Sequence, residues 1–188
     1  MHNKEENKLL FYYYDLSRAL ILKNKNRLNS LVEAQEILKR LIREDIPHAG
    51  LKQIAIINLA DLMIKELAIN QSEEIFSELN NLIDKLYTHG KEQLIYHMII
   101  ESLILKSKIT LIEGNLKQAE RLLVQASIMA EEKNLTYLVN KTNDEYNAFR
   151  KQITHWSELI ESNTPLIEKI KLAEIQNYIG DLQKIAFK

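Results

Sequence analysis

Only four glycines and two prolines punctuate the 188 residues of this chain. A strand-rich fold of that length needs many tight turns, and tight turns draw on Gly, Pro, Asn and Asp. Leu, Ile, Lys, Glu, Gln and Ala dominate instead. All but Ile are strong helix formers, and Ile is tolerated where it packs. Apolar residues recur at three- and four-residue steps, and alternation with period two is nowhere sustained. The chain therefore reads as all-α. With 46% apolar and 27% charged residues it has enough apolar content for a buried core.

The turn signals divide the chain into about eight helices. Residues 8–24 form the first, and a polar, Asn-rich stretch from Lys23 to Asn29 ends it. Ser30 is a candidate N-cap, with Glu33 three positions on to complete a capping box. Pro47, His48, Ala49 and Gly50 stop the second helix. A third covers about 51–69, and Ser72 caps a fourth that closes at His89 and Gly90, a glycine suited to the left-handed conformation. The fifth spans 92–113 and stops at Gly114, and Asn115 caps a sixth that ends at 132–134. A long seventh covers 135–162. Pro165 then opens a last helix that runs to about 185, with a disturbance near Gly180. Paired in sequence, these make four antiparallel hairpins: 1–50, 51–90, 91–134 and 135–188. No linker rich in Gly, Pro or Ser separates them, so 1–188 reads as a single domain.

The hairpins repeat. Ala119, Leu123, Ala126 and Ala130 fall on Ile75, Leu79, Leu82 and Leu86 at a shift of 44, which sets 132–134 on Thr88-His89-Gly90. A further shift of 41 brings Ile75 and Leu79 onto Ala34 and Leu38. One hairpin cannot bury its apolar face alone, whereas stacked neighbours can. Around Gly114 the pattern resembles a tetratricopeptide repeat (TPR). Leu103, Ser107 and Leu111 precede Glu-Gly-Asn-Leu-Lys-Gln-Ala at 113–119, and Ala119, Leu123 and Ala126 supply small, large and small positions. In the upstream unit Asn70 replaces the turn glycine and Ile75 the first alanine. The resemblance covers 10–134 and is nearest to divergent, long-helix members, archaeal ones included. It implies a right-handed stack of helical hairpins, an α-α superhelix, in which 135–188 caps the end.

That family binds partners in the groove lined by the first helix of each pair. Counted from Gly114, the groove positions are Glu101, Ile104 and Lys108, with His97 a turn earlier. A shift of 44 adds Ile57, Ala60 and Ile64. The upstream trio is wholly apolar and equally suits burial against a neighbouring helix. The set carries no concentrated Lys, Arg and Asn clamp for a terminal acidic peptide, so an extended or helical segment held by shape is the expected ligand.

Other features are weighed against plain structural roles. Phe11-Tyr12-Tyr13-Tyr14 cannot all face one core on a helix turning 100° per residue, so at least one must be exposed. Trp156, Phe149 and Tyr146 share a frame suited to the core of the last hairpin. His48 and His89 lie 41 apart at expected helix ends, which suggests one shared turn role. No His or carboxylate spacing suits a metal or a general acid–base pair, and no phosphate loop or nucleophile elbow is present. There is no cysteine, and the formal charge of −1 offers no strong basic field for nucleic acid. No apolar run is long enough for a membrane span, and the first residues lack a secretory signal pattern. The expectation is a non-catalytic, cytoplasmic interaction module or small scaffold. It needs no cofactor or metal and binds a peptide or helix of another protein. The alternative is self-association, for example as a homodimer, through exposed aromatic terminal faces. A small-molecule or RNA-responsive regulator comes third.

Overall fold

A computed structural model describes the backbone of residues 2–25, 27–44, 46 and 48–186, and the side chains of 8–25, 27–44, 46 and 48–184. Asn26 and Pro47, both assigned to turns above, lie outside the described residues. Among those described there are nine α-helices and no strand. They are α1 (His2–Asn24), α2 (Leu28–Arg43), α3 (Ala49–Asn70), α4 (Glu73–Glu92), α5 (Tyr96–Ile112), α6 (Leu116–Glu132), α7 (Thr136–Glu161), α8 (Leu166–Leu172) and α9 (Ile175–Ala186). They fall into two compact units, Met1–Glu66 with Ile179–Lys188, and Leu67–Tyr178.

In the first unit, α1 and α2 run antiparallel. Arg18 pairs with Glu33, Arg40 reaches Asp15 at 2.6 Å, and the Tyr12 hydroxyl donates to Glu44 at 3.3 Å. Ala19, Ala34 and Leu38 are fully buried between the helices. Ser30 is not the cap, because α2 already starts at Leu28, with Arg27 as N-cap and no side-chain capping bond. Glu33 is drawn across to Arg18 instead of back to a free amide. His48 sits before α3, where its Nδ1 accepts from the Leu51 amide at 3.3 Å. His89 lies in the last turn of α4. The two histidines therefore occupy opposite helix ends rather than one shared turn position.

In the second unit, α5 is the central helix and packs against α4, α6, α7 and α8. Asp84–Lys106 and Asn80–Glu113 contacts make α4 antiparallel to α5, while Glu101–Lys141 and Lys108–Glu145 make α7 parallel to it. Burial on nearly every side explains the composition of α5. It is a run of Ile, Leu and Met whose two serines return their hydroxyls to the Ile99 and Ile104 carbonyls. Ala119, Ala126 and Ala130 of α6 are buried. Trp156 and Phe149 are core, and the Tyr146 hydroxyl reaches Glu120 at 3.0 Å.

One turn geometry recurs. At Leu94, Gly114, Asn134 and Asn163 the backbone goes left-handed, with φ of 55°, 89°, 54° and 52°. Each helix end carries the paired bonds of a Schellman motif. Ile95 N–H donates to the Gly90 carbonyl, Asn115 to Thr110, Leu135 to Ala130 and Thr164 to Leu159. Ser72 and Asn115 cap the next helices as expected, accepting from the Ile75 and Gln118 amides. Gly90, however, stays helical. A Cβ there would stand 3.1 Å from Ile99 Cγ1 and 3.2 Å from Ile99 N, so this glycine serves the close approach of α4 to α5. Helix α4 runs on to Glu92 and α5 starts at Tyr96 rather than at 92. Asn134 thus corresponds to Leu94, not to Gly90, and the structural period differs from the shift of 44. The last expected helix is two, because Glu174, at φ 52°, separates α8 from α9, and Gly180 lies within α9.

Candidate functional site

The expected groove is not an open surface. Ile57, Ala60, Ile64, Glu101, Ile104 and Lys108 are all buried, and of the seven positions only His97 is exposed. Projection from a single repeat places residues on a helix face but does not reveal what covers that face. Here α5 is covered by later parts of its own chain.

Glu101 and Lys108 belong to a buried polar seam between α5, α7 and the start of α9. Lys141 Nζ lies 2.9 and 3.0 Å from the two Glu101 oxygens, and the Tyr178 hydroxyl donates to Glu101 Oε2. Lys108 Nζ donates to Glu145 at 2.6 Å and to the Ala173 carbonyl at 3.1 Å. Both ammonium groups also face the Tyr178 ring, Lys141 at 4.1 Å and Lys108 at 5.3 Å from its centre. Burial, then the Glu101 charge, pushes the Tyr178 phenol well above its ordinary value of 10.0, so it stays protonated and donates. Beside the seam is a cavity of about 50 Å³, lined by Lys108, Glu145, Ala148, Phe149, Gln152 and Ala173 among others.

A different surface lies where α5 and α7 begin. Leu94, a bulky apolar residue, is held left-handed and is 70% exposed, with Tyr96 and His97 following it. Lys133 Nζ sits 4.2 Å from the centre of the Tyr96 ring, joining the α6–α7 turn to the start of α5. Because α5 and α7 run parallel with Glu101 opposite Lys141, one turn back sets Tyr137, 63% exposed, level with His97. The result is a leucine, two tyrosines, a histidine and a lysine at one end of the unit.

The first unit has its own buried pair. Lys23 lies 2.7 Å from Asp61 and 2.7 Å from the Asn58 side-chain oxygen, which Gln183 also approaches at 3.3 Å. Burial lowers the Lys23 ammonium below its ordinary 10.5, against the pull of Asp61. Burial also raises the Asp61 carboxyl, but bonds and charge from Lys23 and Lys65 outweigh it and hold Asp61 below its ordinary 3.8. On the same unit Leu10, Phe11, Tyr14 and Ile21 of α1 are exposed, while Tyr12 is buried. The aromatic run is divided between core and surface, as helical geometry demands.

Sequence reasoning missed Lys141, Glu145 and Tyr178, because nothing in spacing tells which distant helix returns to α5. It also missed Leu94, because Gly90, four residues earlier, offered a nearer turn and set Leu94 inside the expected fifth helix. Among the described residues no three His, Asp or Glu side chains gather to hold a metal, and no helix is long and apolar enough to cross a membrane. No protein-family model, curated protein or solved structure matches the chain.

Proposed function

We propose that this chain is a non-catalytic protein-interaction module of TPR-like, hairpin-repeat character, and that it binds through the exposed end of α5 and α7. The observation that carries this reading is Leu94. A bulky residue in the left-handed region is strained by roughly 1–2 kcal/mol relative to one that fits there. Glycine and asparagine fill the same position at Gly114, Asn134 and Asn163. A leucine that is both strained and exposed adds little to the folding of the isolated chain. Strain of this kind is held in place by the surrounding structure, here the turn bonds of Leu94 and Ile95, and it clusters at binding and other functional sites. Tyr96 and Tyr137 supply the amphipathic anchors that binding hot spots favour, and the Lys133 ammonium stands over the Tyr96 ring. The recurring turn at Leu94, Gly114 and Asn134 supports the repeat reading. His97 alone is kept from the groove set.

The test is site-specific photo-crosslinking from Tyr137, with a matched crosslinker at exposed Glu161, at the far end of α7, as the control. A saturable adduct from Tyr137 alone, lost on Leu94→Asn, is the expected outcome. Equal labelling from both sites would remove the proposal.

A second reading, self-association, rests on Leu10, Phe11, Tyr14 and Ile21 of α1, all more than half exposed. Light scattering decides it. A concentration-dependent dimer that reverts to monomer on Tyr14→Ser with Ile21→Ser supports self-association, and a monomer throughout rejects it.

A further inference from the structure

Glu101, Lys108, Lys141 and Glu145 form a seat on α5 and α7 that is filled by the chain's own segment 173–178. Two contacts define what the seat accepts. One is the Ala173 carbonyl, which Lys108 takes at 3.1 Å. The other is the Tyr178 hydroxyl on Glu101, with its ring held under two ammonium groups. A carbonyl at a helix end and a tyrosine five residues later are thus read together.

The resident segment fits imperfectly in ways that can be named. Glu174 joins α8 to α9 at φ 52°, a left-handed conformation that favours Gly or Asn over glutamate. Beside Ala173 a pocket of about 50 Å³ remains, open to solvent past the exposed Ala148 and Glu174, with room for a larger side chain. The contacts are themselves polar and buried. Apolar residues of similar volume often hold a helix at least as firmly, whereas buried ion pairs can select one register.

We propose that this seat is a recognition site for a helical segment of another protein, and that residues 173–178 occupy it as an intramolecular competitor. The partner segment ends one helix on a free carbonyl and carries a tyrosine five residues on. It places Gly or Asn where Glu174 stands and a side chain larger than a methyl where Ala173 stands. Such a segment escapes the strain and fills the pocket. The competitor's advantage is tethering, which gives it an effective concentration in the millimolar range. This goes beyond the proposed surface at Leu94, and neither depends on the other.

The test uses the full chain and its Tyr178→Ala variant. The probe is a fluorescent peptide of residues 164–186 carrying Ala173→Val and Glu174→Gly, followed by anisotropy. The peptide is expected to bind Tyr178→Ala at least tenfold more tightly than it binds the unaltered chain. The same peptide with Tyr178→Phe loses roughly tenfold or more, because a hydrogen bond to a charged carboxylate is lost. Restoring Ala173 and Glu174 in the peptide weakens it again, by severalfold. Equal binding to both proteins, or binding indifferent to the tyrosine, would overturn the proposal. Circular dichroism keeps the variant honest. If both Tyr178→Ala and the milder Tyr178→Phe chain lose helicity and cooperative melting, the segment is an inseparable part of the core and the proposal fails. None of these outcomes bears on Leu94→Asn, so the two sites stand or fall separately.

Discussion

The two ends of α5 have the same backbone and opposite chemistry. At its C-terminal end the chain turns on Gly114, φ 89°, where an added Cβ would come within 3.4 Å of the Ile160 side chain. The turn before its N-terminal end has the same Schellman bonds, but Leu94 occupies the left-handed position and projects into solvent. The first end is solved as local energetics dictate, with a residue free to adopt the angle and small enough for the neighbour. The second is solved against local energetics. The fold alone accounts for Gly114, whereas the proposed contact with a partner would account for Leu94; in the middle of the helix Glu101 and Lys108 are answered by groups of the same chain.

The middle sets the largest effect. Lys141→Met leaves Glu101 buried with only the tyrosine as partner, and stability is expected to fall by about 3 kcal/mol in urea unfolding. Loss of less than about 1 kcal/mol would mean that the seam is wetter than its burial indicates. At the C-terminal end, Gly114→Leu carries the Leu94 solution to a place where a Cβ already touches the Ile160 side chain at 3.4 Å. Left-handed strain and the Ile160 contact together predict a loss of about 2 kcal/mol. A neutral result would erase the contrast between the ends.

A pH series separates the middle from both ends. Tyr178 has its folded value raised, so its contribution is whole below the unfolded value of 10.0 and is lost as pH rises beyond it. The unfolded phenol releases its proton in that range while the folded one holds it. Above about pH 10, stability should therefore decline by up to about 1.4 kcal/mol per pH unit more in the unaltered chain than in Tyr178→Phe. Parallel curves would show that the phenol is not confined as described. Leu94→Asn and Leu94→Gly should leave this difference untouched.

What the sequence made legible follows from the range of the interactions involved. Helices, the cap at Ser72, the turn at Gly114 and the burial of Ala119, Ala126 and Trp156 are set by residues within a turn or two, and periodicity reports them. Gly90 misled because one residue type serves two ends. Glycine permits a left-handed turn and also a close approach, and only the distance to Ile99 tells which. The groove residues misled for a longer-range reason. Glu101 and Lys108 do lie on one face of α5, but the groups that answer them stand 40, 37, 65 and 77 residues away. No local pattern encodes that return. His97 survived as an exposed position because it lies one turn beyond the covered stretch.

The smallest expected change in stability is the most informative one. Leu94→Asn puts a residue that tolerates the left-handed region at the strained position, and should raise stability by up to about 1 kcal/mol. Melting temperature and partner capture from the source cells are to be measured on the same preparations of Leu94→Asn and the unaltered chain, with capture quantified for the protein that crosslinks at Tyr137. The expected result is a higher melting temperature together with at least tenfold weaker capture. A variant that melts higher and captures that protein as well as the unaltered chain would show that Leu94 is not held in its strained place for binding.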